Sequence, residues 1–254
     1  MDLGLADRRF LVGGASRGLG AAVARALIAE GARVAGVSRD LAVMPEADPA
    51  AFAAIAADLA SDEGPRIAVR AAVDSLGGLD GLLVNTGGPP GGTFATVDEA
   101  AWERAIAGTL QSTIRLIREA LPHLREGRDA SIVVVLSSSV REPIPALVTS
   151  NVLRPGLVGL IKSLVTEIAP IRINGVAPGR FDTDRVRSLD EARAQETGLP
   201  IEEIQTQTKA RIPLGRYGEP DELGRVVAFL LSPAASYLDG VILSIDGGMI
   251  RSLP

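Results

Sequence analysis

The chain has no cysteine, a single histidine and two tyrosines in 254 residues. Without cysteine there is no disulfide, no thiolate nucleophile and no cysteine-ligated metal. His123, standing alone, excludes a histidine-based metal cluster. Lysine is almost as scarce: Lys162 and Lys209 are the only two, so arginine supplies 24 of the 26 basic residues. Acidic residues outnumber basic ones, 31 to 26, and the formal net charge of −5 gives no basis for a nucleic acid or an anionic membrane as partner. Residues 1–7 lack the basic start and apolar run of a signal peptide. No apolar run approaches the length of a membrane-spanning helix. These absences lead to the expectation of a soluble, cytoplasmic protein. Hydrophobic residues, at 46%, suffice for the core of one large domain, taken as 1–254.

What is present is organised around Gly13-Gly14-Ala15-Ser16-Arg17-Gly18-Leu19-Gly20. An apolar, strand-like run, 8–12, precedes it. Ala21 to Glu30 is a strong helix former that stops at Gly31. Strand, glycine turn and helix in that order make the phosphate-cradling half of a Rossmann unit. Gly14 permits the tight turn, Gly18 the approach of a pyrophosphate, and Gly20 the packing of helix on strand. The helix N-terminus offers free N–H groups to the phosphates.

Further strand-length runs lie at 33–37, 54–57, 81–85, 131–136, 171–176 and 241–245. Helix-compatible segments at 17–30, 64–77, 97–125, 148–169 and 220–231 separate most of them. The alternation predicts a single-domain α/β fold, a doubly wound seven-stranded parallel sheet with helices on both faces. Between the second and third strands, Pro45 and Pro49 keep any helix brief. The polar segment 184–212 interrupts the rhythm and is expected to form a substrate lid.

These residues resemble the short-chain dehydrogenase/reductase family over nearly the whole chain, with the 3-oxoacyl-carrier-protein-reductase-like members most similar. Gly14-x-x-x-Gly18-x-Gly20 matches the glycine motif, with Gly13 where threonine is usual. Asp58-Leu59 stands at the adenine position, and Asn85-Thr86-Gly87-Gly88 resembles the element after the fourth strand. Pro178-Gly179 with Thr183 matches the turn that contacts the nicotinamide carboxamide. The most specific stretch is Ile212-Pro213-Leu214-Gly215-Arg216-Tyr217-Gly218-Glu219-Pro220, followed by Asp246-Gly247-Gly248. The resemblance implies coenzyme contacts from Gly14, Ser16, Arg17, Gly18, Leu19, Gly20, Asp58, Leu59, Asn85, Gly87, Arg154, Pro178, Gly179 and Thr183. It also implies a small-molecule carbonyl or acyl-thioester substrate and a homo-oligomer, tetramer or dimer.

Coenzyme choice is read at the end of the second strand, Val37-Ser38-Arg39-Asp40. Acid there holds a ribose 2′-hydroxyl, whereas arginine accommodates a 2′-phosphate. Ser38 and Arg39, with Arg17 from the glycine turn, favour NADP(H) over NAD(H); Asp40 is the competing NAD reading.

The catalytic pattern departs from the family. Its reaction moves a hydride between nicotinamide and a carbonyl or alcohol, using Ser, about twelve residues, Tyr-x-x-x-Lys, and an asparagine on the preceding helix. Here Ser150 stands in the tyrosine place, Arg154 in the lysine place and Thr109 in the asparagine place. Only the serine survives, as Ser137 or Ser138. A serine hydroxyl is a far weaker acid than a phenol, whose pKa is about 10, and arginine cannot relay protons. Glu142, Asp182 and Asp184 are replacement-acid candidates; Tyr217, Tyr237 and His123 read as structural. Two readings follow: an oxidoreductase with an altered proton path, or a dinucleotide-binding pseudoenzyme or sensor.

Overall fold

The computed structural model describes residues 2–41, 44 and 48–252. Short runs rich in valine, isoleucine and alanine give seven strands: β1 (Arg9–Gly13), β2 (Arg33–Ser38), β3 (Phe52–Ala56), β4 (Gly81–Val84), β5 (Ser131–Val135), β6 (Arg172–Pro178) and β7 (Ile242–Ile245). All neighbours pair parallel, in the order β3-β2-β1-β4-β5-β6-β7. The chain winds outward from β1 to one edge, then returns to lay β4 on its other side. A doubly wound sheet binds ligands at such a reversal, beyond the strand C-termini. The expected architecture is therefore found.

Parallel strands are covered on both faces, and the side-chain alternation shows it. On β1, Leu11 joins one core cluster while Phe10 and Val12 join the other. The first cluster is closed by α2 (Gly64–Leu76), α4 (Ser112–Arg125) and α5 (Val148–Glu167), through Val69, Leu116 and Ile161. The second is closed by α1 (Gly18–Ala29) and α8 (Pro220–Leu231), which pack on each other through Val23, Leu27, Leu223 and Val227. A fully buried leucine such as Leu27 or Leu116 stabilises by about 1.5–3 kcal/mol. Truncating one to alanine costs about 2–5 kcal/mol.

Two segments differ from the sequence expectation. The helix expected over 97–125 begins at α3 (Glu99–Ala105), where Asp98 Oδ1 accepts the Ala101 N–H at 2.7 Å. It then loosens into one π-helical turn, Ile106–Gln111, before α4. The Ser112 and Thr113 hydroxyls donate back to the Gly108 and Thr109 carbonyls at 2.8 and 2.7 Å, a bonding that bends helices. The segment 184–212, which interrupts the strand–helix rhythm in sequence, forms two helices: α6 (Asp184–Thr197), capped by Thr183 and ended by Gly198 at φ +71°, and α7 (Ile201–Ala210). No helix among the described residues is long and apolar enough to cross a membrane. Pro45 lies outside the described residues; Pro49 sits in a turn ahead of β3.

Candidate active site

The switch point is built from backbone proximity. Gly14 takes φ +62°, and a Cβ there would meet the Asn85 carbonyl oxygen at 2.8 Å. A Cβ on Gly20 would lie 2.1 Å from the Gly14 carbonyl oxygen, so this glycine serves the turn itself more directly than helix-on-strand packing. Asn85, just past β4, donates its Nδ2 to the Gly13 carbonyl at 3.2 Å and so ties the two central strands together. Leu59 is buried against the same turn, while Asp58 stays exposed and accepts the Ala60 N–H at 3.0 Å.

The free N-terminus of α1 faces an open cleft of about 300 Å³ lined by Ser16, Arg17, Gly18, Asp182, Thr183 and Arg187. Arg17, extended at the N-cap, provides no side-chain cap. Leu19 is half-buried behind it, and Thr183 packs at 3.5 Å from a Cβ built on Gly18. Pro178 and Gly179 end β6, the Gly179 N–H bonding to the Ile245 carbonyl at 2.9 Å. Ser38 is half-buried at the end of β2 and Arg39 is exposed beside it. Arg17 lies 4.0 Å from Asp184 across the cleft, a loose surface pair that leaves its guanidinium largely in solvent.

The catalytic candidates gather on the other side of the cleft. Ser150, in the first turn of α5, is buried with its Oγ 3.1 Å from Ser139 Oγ. Ser137 Oγ instead accepts the Ser139 N–H at 3.1 Å, and Ser138 is buried between them. The hydroxyl that meets Ser150 thus belongs to Ser139. The serine run contained that residue, but spacing alone singled out Ser137 or Ser138. Thr109 is buried in the π-helical turn that packs against α5.

Arg154 lies one helical turn beyond Ser150 and is 6% exposed. Its Nη1 donates to the Val135 carbonyl and its Nη2 to the Gly87 carbonyl at 2.9 Å. Its Nε–H is buried with no partner. Burial, with a smaller contribution from the charge of Arg185, lowers its pKa to about 10. It remains a cation at neutral pH, fixed on two backbone carbonyls one helical turn beyond Ser150. Such a charge stabilises negative charge developing on a neighbouring oxygen.

The other acids and aromatics are engaged elsewhere. Asp182 and Asp184 both pair with Arg187, at 2.9 and 3.0 Å, and Glu142 is exposed in a turn. Tyr217 donates its hydroxyl to Asp190 at 2.7 Å; burial and that carboxylate push its pKa up to about 12. Tyr237 is fully exposed just after α8, and His123 lies in the last turn of α4. Arg185 was not anticipated from the sequence: it donates its Nη2 to the Pro89 carbonyl at 2.6 Å and reaches over the loop that Arg154 holds from below.

A family model described as Enoyl-(Acyl carrier protein) reductase matches residues 14–250. The chain is similar to the 3-oxoacyl-[acyl-carrier-protein] reductase FabG of Vibrio cholerae, 30% identical over 94% of this chain and 96% of that one. Among solved structures it is similar to the L-sorbose reductase of Gluconobacter frateurii complexed with NADPH and L-sorbose. The TM-score there is 0.92, at 26% identity over the full length of both chains. It is also similar to an NADPH-bound short chain oxidoreductase from Pseudomonas aeruginosa PAO1 described as containing an atypical catalytic center. That match has a TM-score of 0.85 and 30% identity over 98% of this chain and 99% of that one.

Proposed function

The chain belongs to the short-chain dehydrogenase/reductase family of oxidoreductases, and from that premise we propose that it is an NADP(H)-dependent enzyme acting on a carbonyl or secondary alcohol through an altered proton path. The observation that carries this reading is the glycine turn. It is a tight backbone turn in which a Cβ at Gly14 or Gly20 would collide with Asn85 or the Gly14 carbonyl, and it opens onto a cleft with the α1 N-terminus at its base. Gly14, Ser16, Gly18, Leu19 and Gly20 would hold the pyrophosphate. Arg17, Ser38 and Arg39 would hold a 2′-phosphate, Asp58 and Leu59 the adenine, and Asn85, Gly87, Pro178, Gly179 and Thr183 the remainder. When bound, the coenzyme supplies or accepts the hydride.

Around the reacting carbon the chain's own residues orient and polarise. The serine cluster, Ser137 or Ser138 with the Ser139–Ser150 pair, donates to the substrate oxygen. Arg154 holds the loop at Gly87 and adds positive charge. The proton comes from water held by Ser150 or Thr109, since neither hydroxyl is acidic enough to supply it unaided. The likeness to an NADPH-bound oxidoreductase described as having an atypical catalytic center supports such a site. A homo-oligomer accords with the exposed Val152 on α5 and Leu243 on β7.

A second reading, a coenzyme-binding protein without turnover, is favoured by one observation: both Nη atoms of Arg154 are already committed to backbone carbonyls. The test titrates NADPH into the protein and then follows its absorbance with 3-oxoacyl thioesters, ketones and quinones. Oxidation of NADPH by one of these classes is the expected result. Tight NADPH binding without oxidation by any of them would establish the second reading.

A further inference from the structure

We propose that Arg185, together with Arg154, forms an anion-recognition element of the substrate site, and that the enzyme selects a carbonyl substrate carrying a carboxylate close to the reacting carbon. This rests on the oxidoreductase reading above. Both guanidiniums converge on the loop 87–89 at the C-terminal end of β4. Arg154 Nη2 binds the Gly87 carbonyl at 2.9 Å, and Arg185 Nη2 binds the Pro89 carbonyl at 2.6 Å. The Arg185 guanidinium lies over Gly88, its Nε 3.2 Å from a Cβ built there.

Neither cation has a carboxylate oxygen within 4.0 Å among the described residues, although the chain carries 31 acidic residues. Nearby arginines do: Arg180 pairs with Asp190, and Arg187 with Asp182 and Asp184. Arg185 reaches solvent, and partial burial of its guanidinium lowers its pKa. Its charge also depresses that of Arg154. Two uncompensated like charges over one loop are costly unless an anion joins them. The Arg154 Nε–H, buried and unpartnered, marks the same deficit.

The anion is assigned to the substrate rather than to a coenzyme phosphate by position. The phosphate cleft is lined by Ser16, Arg17 and Gly18 at the α1 N-terminus and by Asp182, Thr183, Asp184 and Arg187 across from them; Arg185 is not part of that lining and bonds instead to the Pro89 carbonyl. Arg154 stands instead one turn of α5 beyond Ser150 and bonds to the Val135 carbonyl of β5; the Ser139–Ser150 pair, which joins α5 to the turn after β5, is where the oxygen undergoing reaction would bind. A neutral analogue would leave both guanidiniums without an anion, which is how a charged site rejects uncharged competitors.

The test compares wild-type protein with Arg185→Met and Arg185→Lys. Pyruvate, acetoacetate and levulinate are each paired with their methyl esters, and thermal unfolding is recorded in the presence of each carboxylate with NADPH. We expect the wild type to prefer at least one carboxylate over its ester. Arg185→Met should raise KM for that carboxylate by about tenfold or more, leave the ester and the NADPH Kd unchanged, and be partly rescued by Arg185→Lys. Carboxylate protection against unfolding should appear in the wild type and vanish in Arg185→Met, and this readout needs no turnover. Equal loss on acid and ester, or weakened NADPH binding, would overturn the proposal in favour of a loop- or coenzyme-positioning role. Absence of protection by all three carboxylates would overturn it even where ketones or thioesters are reduced.

Discussion

Ser150 Oγ stands 3.1 Å from Ser139 Oγ, both side chains buried, one helical turn before Arg154. On the proposed alignment, two weak acids and a cation stand where the family carries a phenol and an amine. Rebuilding the family pattern with Thr109→Asn, Ser150→Tyr and Arg154→Lys together supplies a phenol and a lysine. General acid catalysis contributes about 10²–10⁴-fold. We therefore expect kcat for a ketone or 3-oxoacyl thioester to rise within that range, with NADPH affinity little changed. Steady-state kinetics alongside an NADPH titration read the two separately; no gain in kcat would count against the alignment of these three positions.

The proposed preference for NADP(H) rests on two solvent-facing guanidiniums. Arg39 is exposed at the end of β2, and Arg17 is held only by a 4.0 Å pair with Asp184. Either is free to swing onto a 2′-phosphate. A hydrogen bond to a charged group contributes about 1.5–3 kcal/mol. Arg39→Ala should therefore weaken NADPH binding by about 10- to 100-fold and leave NADH unaffected. Fluorescence titration with both coenzymes measures the ratio, and an equal effect on the two would assign Arg39 no part in discrimination.

The α6 helix is anchored by one buried carboxylate. Asp190 on α6 is 1% exposed, accepts the Tyr217 hydroxyl at 2.7 Å and pairs with Arg180 at 3.2 Å. Tyr217→Phe leaves an oxygen of that carboxylate without its donor, a loss of about 1–3 kcal/mol, seen as earlier urea unfolding and faster proteolysis within α6. The Tyr217 pKa is raised from 10 to about 12. Its contribution is therefore complete below pH 10 and lost as pH rises through 12. Absorbance at the phenolate band should show a step near pH 12 that Tyr217→Phe removes.

At the start of α8 the sign is opposite. The Arg216 guanidinium, followed by the Glu219 N–H, draws the Glu222 pKa down from 4.5 to about 2. Stability from Glu222 is present above pH 4.5 and lost as pH falls from there through 2. The pair is solvent-exposed, which limits the effect to below about 1 kcal/mol. Glu222→Gln should unfold more readily than wild type at pH 6 and match it near pH 2 in denaturant titrations.

Much of this protein was determined along the chain itself. The strand–glycine–helix order and the alternation of apolar runs fix a doubly wound sheet, because parallel strands need crossover helices and few windings satisfy that. The glycine turn, Asn85 and Thr183 were legible for the same reason: their roles are local, set by backbone conformation and close approach. The proposed placement of Ser150, Arg154 and Thr109 on the catalytic pattern also came from fixed spacings within helical segments. Tertiary structure alone decided what those side chains touch. That Ser139 rather than Ser137 or Ser138 meets Ser150 depends on how the residues after β5 curl beneath α5. The hold of Arg154 on Val135 and Gly87 depends on strands brought together from distant parts of the chain. Arg185 carried no signal in sequence, because one arginine in a charged helix looks like any other until folding sets it over loop 87–89 with no carboxylate among the described residues to meet it.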